Sequence, residues 1–386
     1  MAIASLKSLD IAGRRVLIRE DLNVPVRDTR VTNTARIDAA VPTIRHCQQA
    51  GARTIVASHL GRPDAGRVDP ALSLKPVAEA LGDALGCVVP VLEDWSGGVD
   101  VAPGKVALLE NIRFEPGETS NDPDLARRLA DLCDVFVMDA FGTAHRAHAS
   151  TAGVALAAPL ACAGPLLEAE LDALGRVLDE PARPLVAIVG GAKVSTKIEV
   201  LESLARFADT VIVGGGIANT FLLADAESIG ASLAEPDHLD TARRIMARVD
   251  VPMPVDLMTA RRLDATHVAR LRLRGEVRGD EMILDIGPET GRRLAALVAG
   301  ARTILWNGPL GVFEFDQFGE GTRVLAEAIA GADAFSVAGG GDTLAAIGKY
   351  GVGEGISYQS TGGGAFLEYL AGASLPGVAA LEGRGP

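Results

Sequence analysis

Lysine is scarce in this chain of 386 residues: Lys7, Lys75, Lys105, Lys193, Lys197 and Lys349 are all it has, and elsewhere it uses arginine for positive charge. Cysteine is scarcer still. Cys47, Cys87, Cys133 and Cys162 stand far apart without a C-x-x-C pair, which excludes a disulfide framework and a zinc pattern. Long apolar runs are missing too. The longest mostly apolar stretch, 152–167, contains Pro159 and Pro165 and is short for a bilayer. The opening MAIASLKSLDIAGRR has no apolar core before a cleavage site, so no signal peptide is expected and a reducing cytoplasm is. Positive charge is in deficit: 37 Lys and Arg against 50 Asp and Glu leave a formal net charge of −13. Nucleic acid and anionic membranes are therefore not expected as partners. Any anion site must be a local concentration of cations.

Glycine, by contrast, is abundant at 44 residues and clusters after apolar runs, the pattern of tight strand-to-helix loops. The length allows two domains. In the first half, apolar runs end in polar groups: VLI before Arg19, Asp21 and Asn23; IVA before His59 and Arg62; VALL before Glu110 and Arg113; VFVM before Asp139, His145, Arg146 and His148. Helical segments such as 34–50 and 123–132 lie between them. Buried strands alternating with helices imply parallel sheets, whose ligands bind beyond the carboxyl ends of the strands. Residues 165–180 have helical periodicity and open on proline, so a helix is expected to join two lobes. The second half repeats the alternation in six apolar runs: PLVAIVGGAK, DTVIVGGGIANTF, VPMPVDLM, ARTILWNGPLGVFE, AFSVAGGGDT and ISYQSTGGGAF. Three of these runs end in triple glycine, which suggests backbones crowding a bulky ligand; close helix–strand packing explains any one of them equally.

Three places point to chemistry. In AFSVAGGGDTLAAIG a strand, three glycines and a helix start would offer bare amides to an anion. Asp342 there is either a helix cap or the partner of a cation lying between it and a phosphate. Lys193 and Lys197, four apart at an expected helix start, would sit on one face, where like charges at a helix N-terminus are unfavourable unless an anion lies over them. Finally, Arg19, Arg36, His59, Arg62, Arg113, His145, Arg146 and His148 follow apolar runs or open helices. Each arginine alone suits a surface ion pair; together they suit one anionic ligand. Asp21 and Asn23 would then bind a hydroxyl. His145 and His148 read best as neutral orienters, while His59 stays open between orienter and ligand contact.

The motifs REDLNVP, SHLGRP, LLENIRF, DAFGTAHRAH, GGAKVSTK, GGGIANTFL, WNGPLGVFE, GGGDT and STGGG occur in the order and spacing of phosphoglycerate kinases, and the chain resembles that family over essentially its whole length. The resemblance implies an α/β fold of two similar-sized lobes, each a Rossmann-like parallel sheet flanked by helices. They would comprise residues 1–164 and 183–368, joined by a hinge helix at 165–182, with a tail, 369–386, returning to the first lobe. It implies that the first lobe binds 3-phosphoglycerate or 1,3-bisphosphoglycerate through Asp21, Asn23, Arg36, His59, Arg62, Arg113 and Arg146. The second would bind ADP or ATP through Lys197, Glu314, Gly340, Gly341, Asp342 and Thr343, with Asp342 on Mg2+. Lys193, Lys197 and Arg36, with amides near Gly341 and Gly364, would meet the phosphoryl group in transit. A monomer working by lobe closure is expected. Glu20 and Leu22 depart from the family's usual Val and Phe and should point away from the ligand residues. Ile283 replaces a glycine that many members have near the nucleotide. A carboxylate acceptor is already ionised near neutral pH, so no general base is required. That agrees with the lack of an obvious catalytic Ser, Cys or His arrangement. A carboxylate-activating ligase would need a third substrate site for which no region is left. A two-lobed anion-binding protein would not need the lysines and glycine loops opposite the arginines.

Overall fold

The computed structural model describes residues 3–382. The chain forms two compact units: one runs up to Asp172 and takes back the segment from Ser374, the other spans Ala173–Ala373.

The first unit contains, in chain order, β1 (Arg15–Arg19), a small hairpin of β2 (Val26–Arg27) and β3 (Arg30–Val31), α1 (Ala35–Gln49), β4 (Arg53–Ala57), α2 (Lys75–Leu85), β5 (Val91–Leu92), β6 (Val106–Leu109), α3 (Pro123–Ala130), β7 (Val135–Met138), α4 (Val154–Ala157), β8 (Ala161–Ala163) and the start of α5 (Pro165–Leu178). Six strands pair in the order β5-β6-β4-β1-β7-β8, every pair parallel. VALL and VFVM are buried at every position, with no alternation, because helices cover both faces. Ile18, Val56, Leu108 and Val137 pack with Ile37 and Ile44 of α1 and Val77 and Leu81 of α2.

α5 begins on Pro165, and Asp139 at the end of β7 holds its first turn: Oδ1 accepts from the amides of Leu166 (2.8 Å) and Leu167 (3.0 Å). The division between the units falls within this helix. The returning segment carries α13 (Pro376–Ala379), where Gly377 N donates to Ala144 O at 2.9 Å. Of the expected tail, 369–373 stay with the second unit and 383–386 lie outside the described residues.

The second unit contains β9 (Leu185–Gly191), α6 (Ile198–Phe207), β10 (Thr210–Gly214), α7 (Gly215–Ala224), α8 (Leu239–Met246), β11 (Asp256–Ala260), β12 (Arg270–Leu273), β13 (Met282–Ile286), α9 (Pro288–Ala299), β14 (Thr303–Asn307), α10 (Glu320–Gly331), β15 (Phe335–Gly339), α11 (Gly341–Tyr350), β16 (Tyr358–Ser360) and α12 (Gly364–Leu370). Its parallel sheet runs β10-β9-β14-β15-β16. Ile188, Ile304 and Trp306 pack there with Val298, Leu325 and Ile347 of α9, α10 and α11. One of the six apolar runs departs from the alternation. VPMPVDLM gives β11, which pairs antiparallel with β12 and β13 in a separate sheet. β12 reads Arg-Leu-Arg-Leu and is largely exposed, so it lacks the two covered faces of a parallel-sheet strand.

Glu20 and Leu22 both turn inward and are buried. Leu22 joins the apolar core of the first unit. The Glu20 carboxyl meets Asp139, its hydrogen-bond partner. Asp139 also receives the two α5 amides, so it is the better-supported anion, and Glu20 is the carboxyl that keeps its proton. Burial first, then the Asp139 charge, pushes Glu20 well above the ordinary carboxylate range. A carboxyl raised in the folded state favours folding at low pH. Its contribution is full below the unfolded value and is lost as pH rises towards the folded one. Glu20→Gln should therefore flatten the fall in stability with rising pH above about 4.5, by up to about 1.4 kcal/mol per pH unit. Urea denaturation across that range checks this, and equal slopes in the two proteins would contradict it.

Candidate functional site

β6, β4, β1 and β7 are consecutive neighbours, so the loops at their carboxyl ends emerge side by side. Those loops bring the expected residues of the first unit together. Arg36, in the first turn of α1, donates from Nη1 to Asp21 Oδ1 (3.1 Å) and to Asn23 O (2.9 Å). Asn23 Oδ1 accepts from Gly61 N at 3.0 Å, and Arg113 Nη1 donates to Gly61 O. One network thus ties the loops after β1, β4 and β6. Arg62, Arg113 and Arg146 line a cleft of ≈ 560 Å³ with Glu118 and His148.

The electrostatics of this cleft favour an anion. Burial, then the neighbouring Arg146 and Arg19, lowers Arg113 to about 10. Cations held this close repel each other, and a bound anion would reverse the sign. Arg146 Nε donates to His145 Nε2 (3.0 Å), which leaves that nitrogen unprotonated. Burial and the arginines bring His148 down to about 4. Both observations favour neutral rings at these two positions. His59 is buried, its Nδ1 3.2 Å from Arg19.

In the second unit β9, β14 and β15 are adjacent, and their terminal loops form the other constellation. Here the geometry corrects the lysine reading. α6 starts only at Ile198; Lys197 is its cap residue, and Lys193 stands exposed in the preceding loop. The two lysines therefore do not share a helix face. The chain must first pass the Val194–Lys197 turn, closed by Lys197 N donating to Val194 O at 2.8 Å. Lys197 instead folds inward, donating from Nζ to Gly190 O and to Asn307 O (3.3 Å). Burial lowers it to about 8, against the opposing pull of Asp342.

Asn307 donates from Nδ2 to Gly339 O at 2.7 Å, linking the ends of β14 and β15. Gly340 has φ +100, a conformation that favours glycine, and a Cβ there would lie 2.7 Å from Asn307 Nδ2. Beyond it α11 opens with Gly341 and Asp342 exposed, and nothing lies within 4 Å of a Cβ built on Gly341. The first amides of a helix lack intrahelical partners and face the positive end of its dipole, so this opening suits an anion. Glu314 is exposed on the loop after β14, and Gly364 is exposed at the start of α12.

For one triple glycine, packing by itself is a sufficient reason. A Cβ on Gly216 would come within 2.1 Å of Ala192 O, so close backbone approach alone requires glycine there. Ile283 lies on β13 opposite Thr259 and packs at the edge of the Leu222–Leu257 cluster. Asn307, Glu118 and Ser150 were not among the expected site residues. Asn307 obeys the rule that marked the first half, a polar group ending an apolar strand; Glu118 and Ser150 carry no such signal.

The Thr343 side chain is spent internally. Its hydroxyl donates to Gly339 O (2.8 Å) and accepts from Gly308 N (2.7 Å). Thr343→Val keeps the shape and strands a buried amide, and should cost about 1–3 kcal/mol in urea denaturation. An unchanged midpoint would contradict that role.

The family model for phosphoglycerate kinase matches residues 6–373. The structure resembles that of phosphoglycerate kinase from Coxiella burnetii with a TM-score of 0.96 and 50% identity, covering 100% of both chains. It also resembles phosphoglycerate kinase from Pyrococcus horikoshii OT3, with a TM-score of 0.83 and 32% identity over 98% of both chains. The chain belongs to the phosphoglycerate kinase family.

Proposed function

We propose that the first unit binds 3-phosphoglycerate or 1,3-bisphosphoglycerate and the second binds ADP or ATP. The reaction is that of the family, reversible phosphoryl transfer from 1,3-bisphosphoglycerate to ADP, a step of glycolysis. The observation that carries the division of labour is the kind of anion site each unit builds. One gathers guanidinium groups around a cleft; the other offers an open helix N-terminus with a half-buried lysine nearby. The first suits a small ligand with a carboxylate and phosphate, through Arg36, Arg62, Arg113 and Arg146, with Asp21, Asn23 and His59 around its hydroxyl and carboxylate. The second suits a nucleotide, its phosphate chain held through Lys197 and the amides of 340–343, with Glu314 also in contact.

Mg2+ fits this reading. Among the described residues no group of three or more His, Cys, Asp or Glu is placed to hold a metal. A single exposed carboxylate, Asp342, beside a phosphate site is what a cation needs if it keeps several waters and takes other ligands from substrate phosphates. When bound, the ion would neutralise charge on the phosphate oxygens.

Transfer of this kind depends on positioning and charge neutralisation more than on covalent chemistry. Lys193, Lys197 and Arg36, with amides near Gly341 and Gly364, would stabilise the migrating group. Direct in-line transfer requires the two ligands to meet, so lobe closure is part of the proposal, and it would also exclude water. The reading includes a monomeric, cytoplasmic enzyme without nucleic-acid or membrane partners. A net charge of −13 supports the latter, as does the lack, among the described residues, of a helix long and apolar enough to cross a membrane.

The coupled assay for ATP formation from ADP and 1,3-bisphosphoglycerate tests the activity. Lys193 is exposed on its loop, so Lys193→Ala should fold normally and lower kcat by about 10²–10³ with little change in KM. An unchanged kcat would contradict the role. Small-angle scattering should show compaction only with both ligands present; its absence would count against closure.

A further inference from the structure

Arg19 differs from the other arginines of the first unit in being fully buried. Its guanidinium points into the protein and makes its contacts there. Nε donates to Ser150 Oγ (2.9 Å), Nη1 to the Glu20 carbonyl, and Nη2 faces His59 Nδ1 at 3.2 Å. Ser150 is fixed in turn, with its amide donating to Glu118 Oε2 (2.9 Å) and its hydroxyl to Oε1 (2.5 Å).

The direction of every bond in this chain is determined. The single hydroxyl proton of Ser150 goes to the Glu118 carboxylate, so Oγ is left to accept from Arg19. A guanidinium has donors and no acceptor, so His59 Nδ1 must accept and carries no proton. The charged groups around the ring, Arg19 from β1, Arg36 from α1, Arg113 after β6 and Arg146 after β7, are all cationic. Asp21 is paired with Arg36, and Glu118 is engaged by Ser150 with His148 Nδ1 3.6 Å away. Nothing beside the ring favours the imidazolium, and burial disfavours it further.

We infer that Arg19 is a positioning residue that locks His59 as the neutral Nε2–H tautomer, leaving the ring one hydrogen-bond donor and no acceptor for a ligand. The inference rests on the reading that the 58–62 loop meets the glycerate substrate. Towards a carboxylate or phosphate oxygen such a ring donates, and it cannot serve as a base. The choice left open by the sequence is thereby resolved: His59 is a fixed donor, oriented from behind.

The test is 15N NMR of the intact enzyme labelled at histidine, with the His59 signals assigned by their loss in His59→Gln. The ligand-free protein should show a neutral Nε2–H ring unchanged from about pH 5 to 8. An Nδ1–H ring or an imidazolium at neutral pH would overturn the inference. Arg19→Met removes the donor, so the ring should populate both tautomers, while burial and the remaining arginines keep it neutral. KM for 3-phosphoglycerate should then rise roughly tenfold, the worth of one oriented hydrogen bond, with kcat little changed. Arg19→Lys, which still donates, should restore most of the tautomer preference and of the KM. A His59→Gln-sensitive spectrum identical in wild type and Arg19→Met would also overturn the inference. If Arg19→Met does not fold, the wild-type spectrum alone decides. Addition of 3-phosphoglycerate is read separately: a silent His59 would count against the placement of the substrate, while the tautomer is decided without ligand.

Discussion

Parallel strands laid side by side must all end at the same edge, and the chemistry of this protein follows from that constraint. A parallel sheet needs crossovers, the crossovers put helices on both faces, and the strands become apolar throughout. Polar groups are then confined to the strand ends. In the first unit this gathers the ends of β6, β4, β1 and β7, and with them Arg113, His59, Asp21, Asn23 and Arg146. In the second it gathers the ends of β9, β14 and β15, and with them Lys197, Asn307 and the Gly340 turn. Residues more than a hundred positions apart become neighbours without any long-range recognition beyond strand pairing.

The two proposed sites would use different physics for the same kind of ligand. The first relies on full charges. It assembles arginines in an acidic chain and offsets their repulsion by giving three of them fixed partners: Asp21 for Arg36, Gly61 O for Arg113, Ser150 and His59 for Arg19. The second relies on partial charges, the amides of a helix start made reachable by glycine, with one desolvated lysine. Rigid guanidinium forks suit the small, branched anion of a glycerate phosphate. A row of amides suits a flexible phosphate chain, whose close approach any side chain would obstruct.

Nine of the eleven strands in the two main sheets, and their parallel character, were legible because apolar runs with polar ends leave few other readings; β5 and β8, two and three residues long, carried no such signal. VPMPVDLM was apolar in the same way, yet its strand went to an antiparallel sheet. A short apolar run does not reveal which partners it will find. The arginine cluster was legible for the same reason as the strands. The lysine pair was not: a four-residue spacing has helical meaning only inside a helix, and the turn before Ile198 removes it. The glycines at 214–216 answer to neighbouring backbone, which depends on tertiary packing and leaves no local trace. Glu20 next to Asp139, and Glu118 beneath Arg19, are contacts across the fold that no spacing predicts.

Ligand-resolved hydrogen exchange most directly tests whether the two anion sites are distinct in kind and in place. With 3-phosphoglycerate alone, protection should rise in the segments around Asn23, Gly61 and Arg113 and stay unchanged at 190–197 and 339–343. With ADP and Mg2+ alone, the pattern should reverse. Protection of the arginine loops by ADP, or of the Gly340 turn by 3-phosphoglycerate alone, would contradict the assignment.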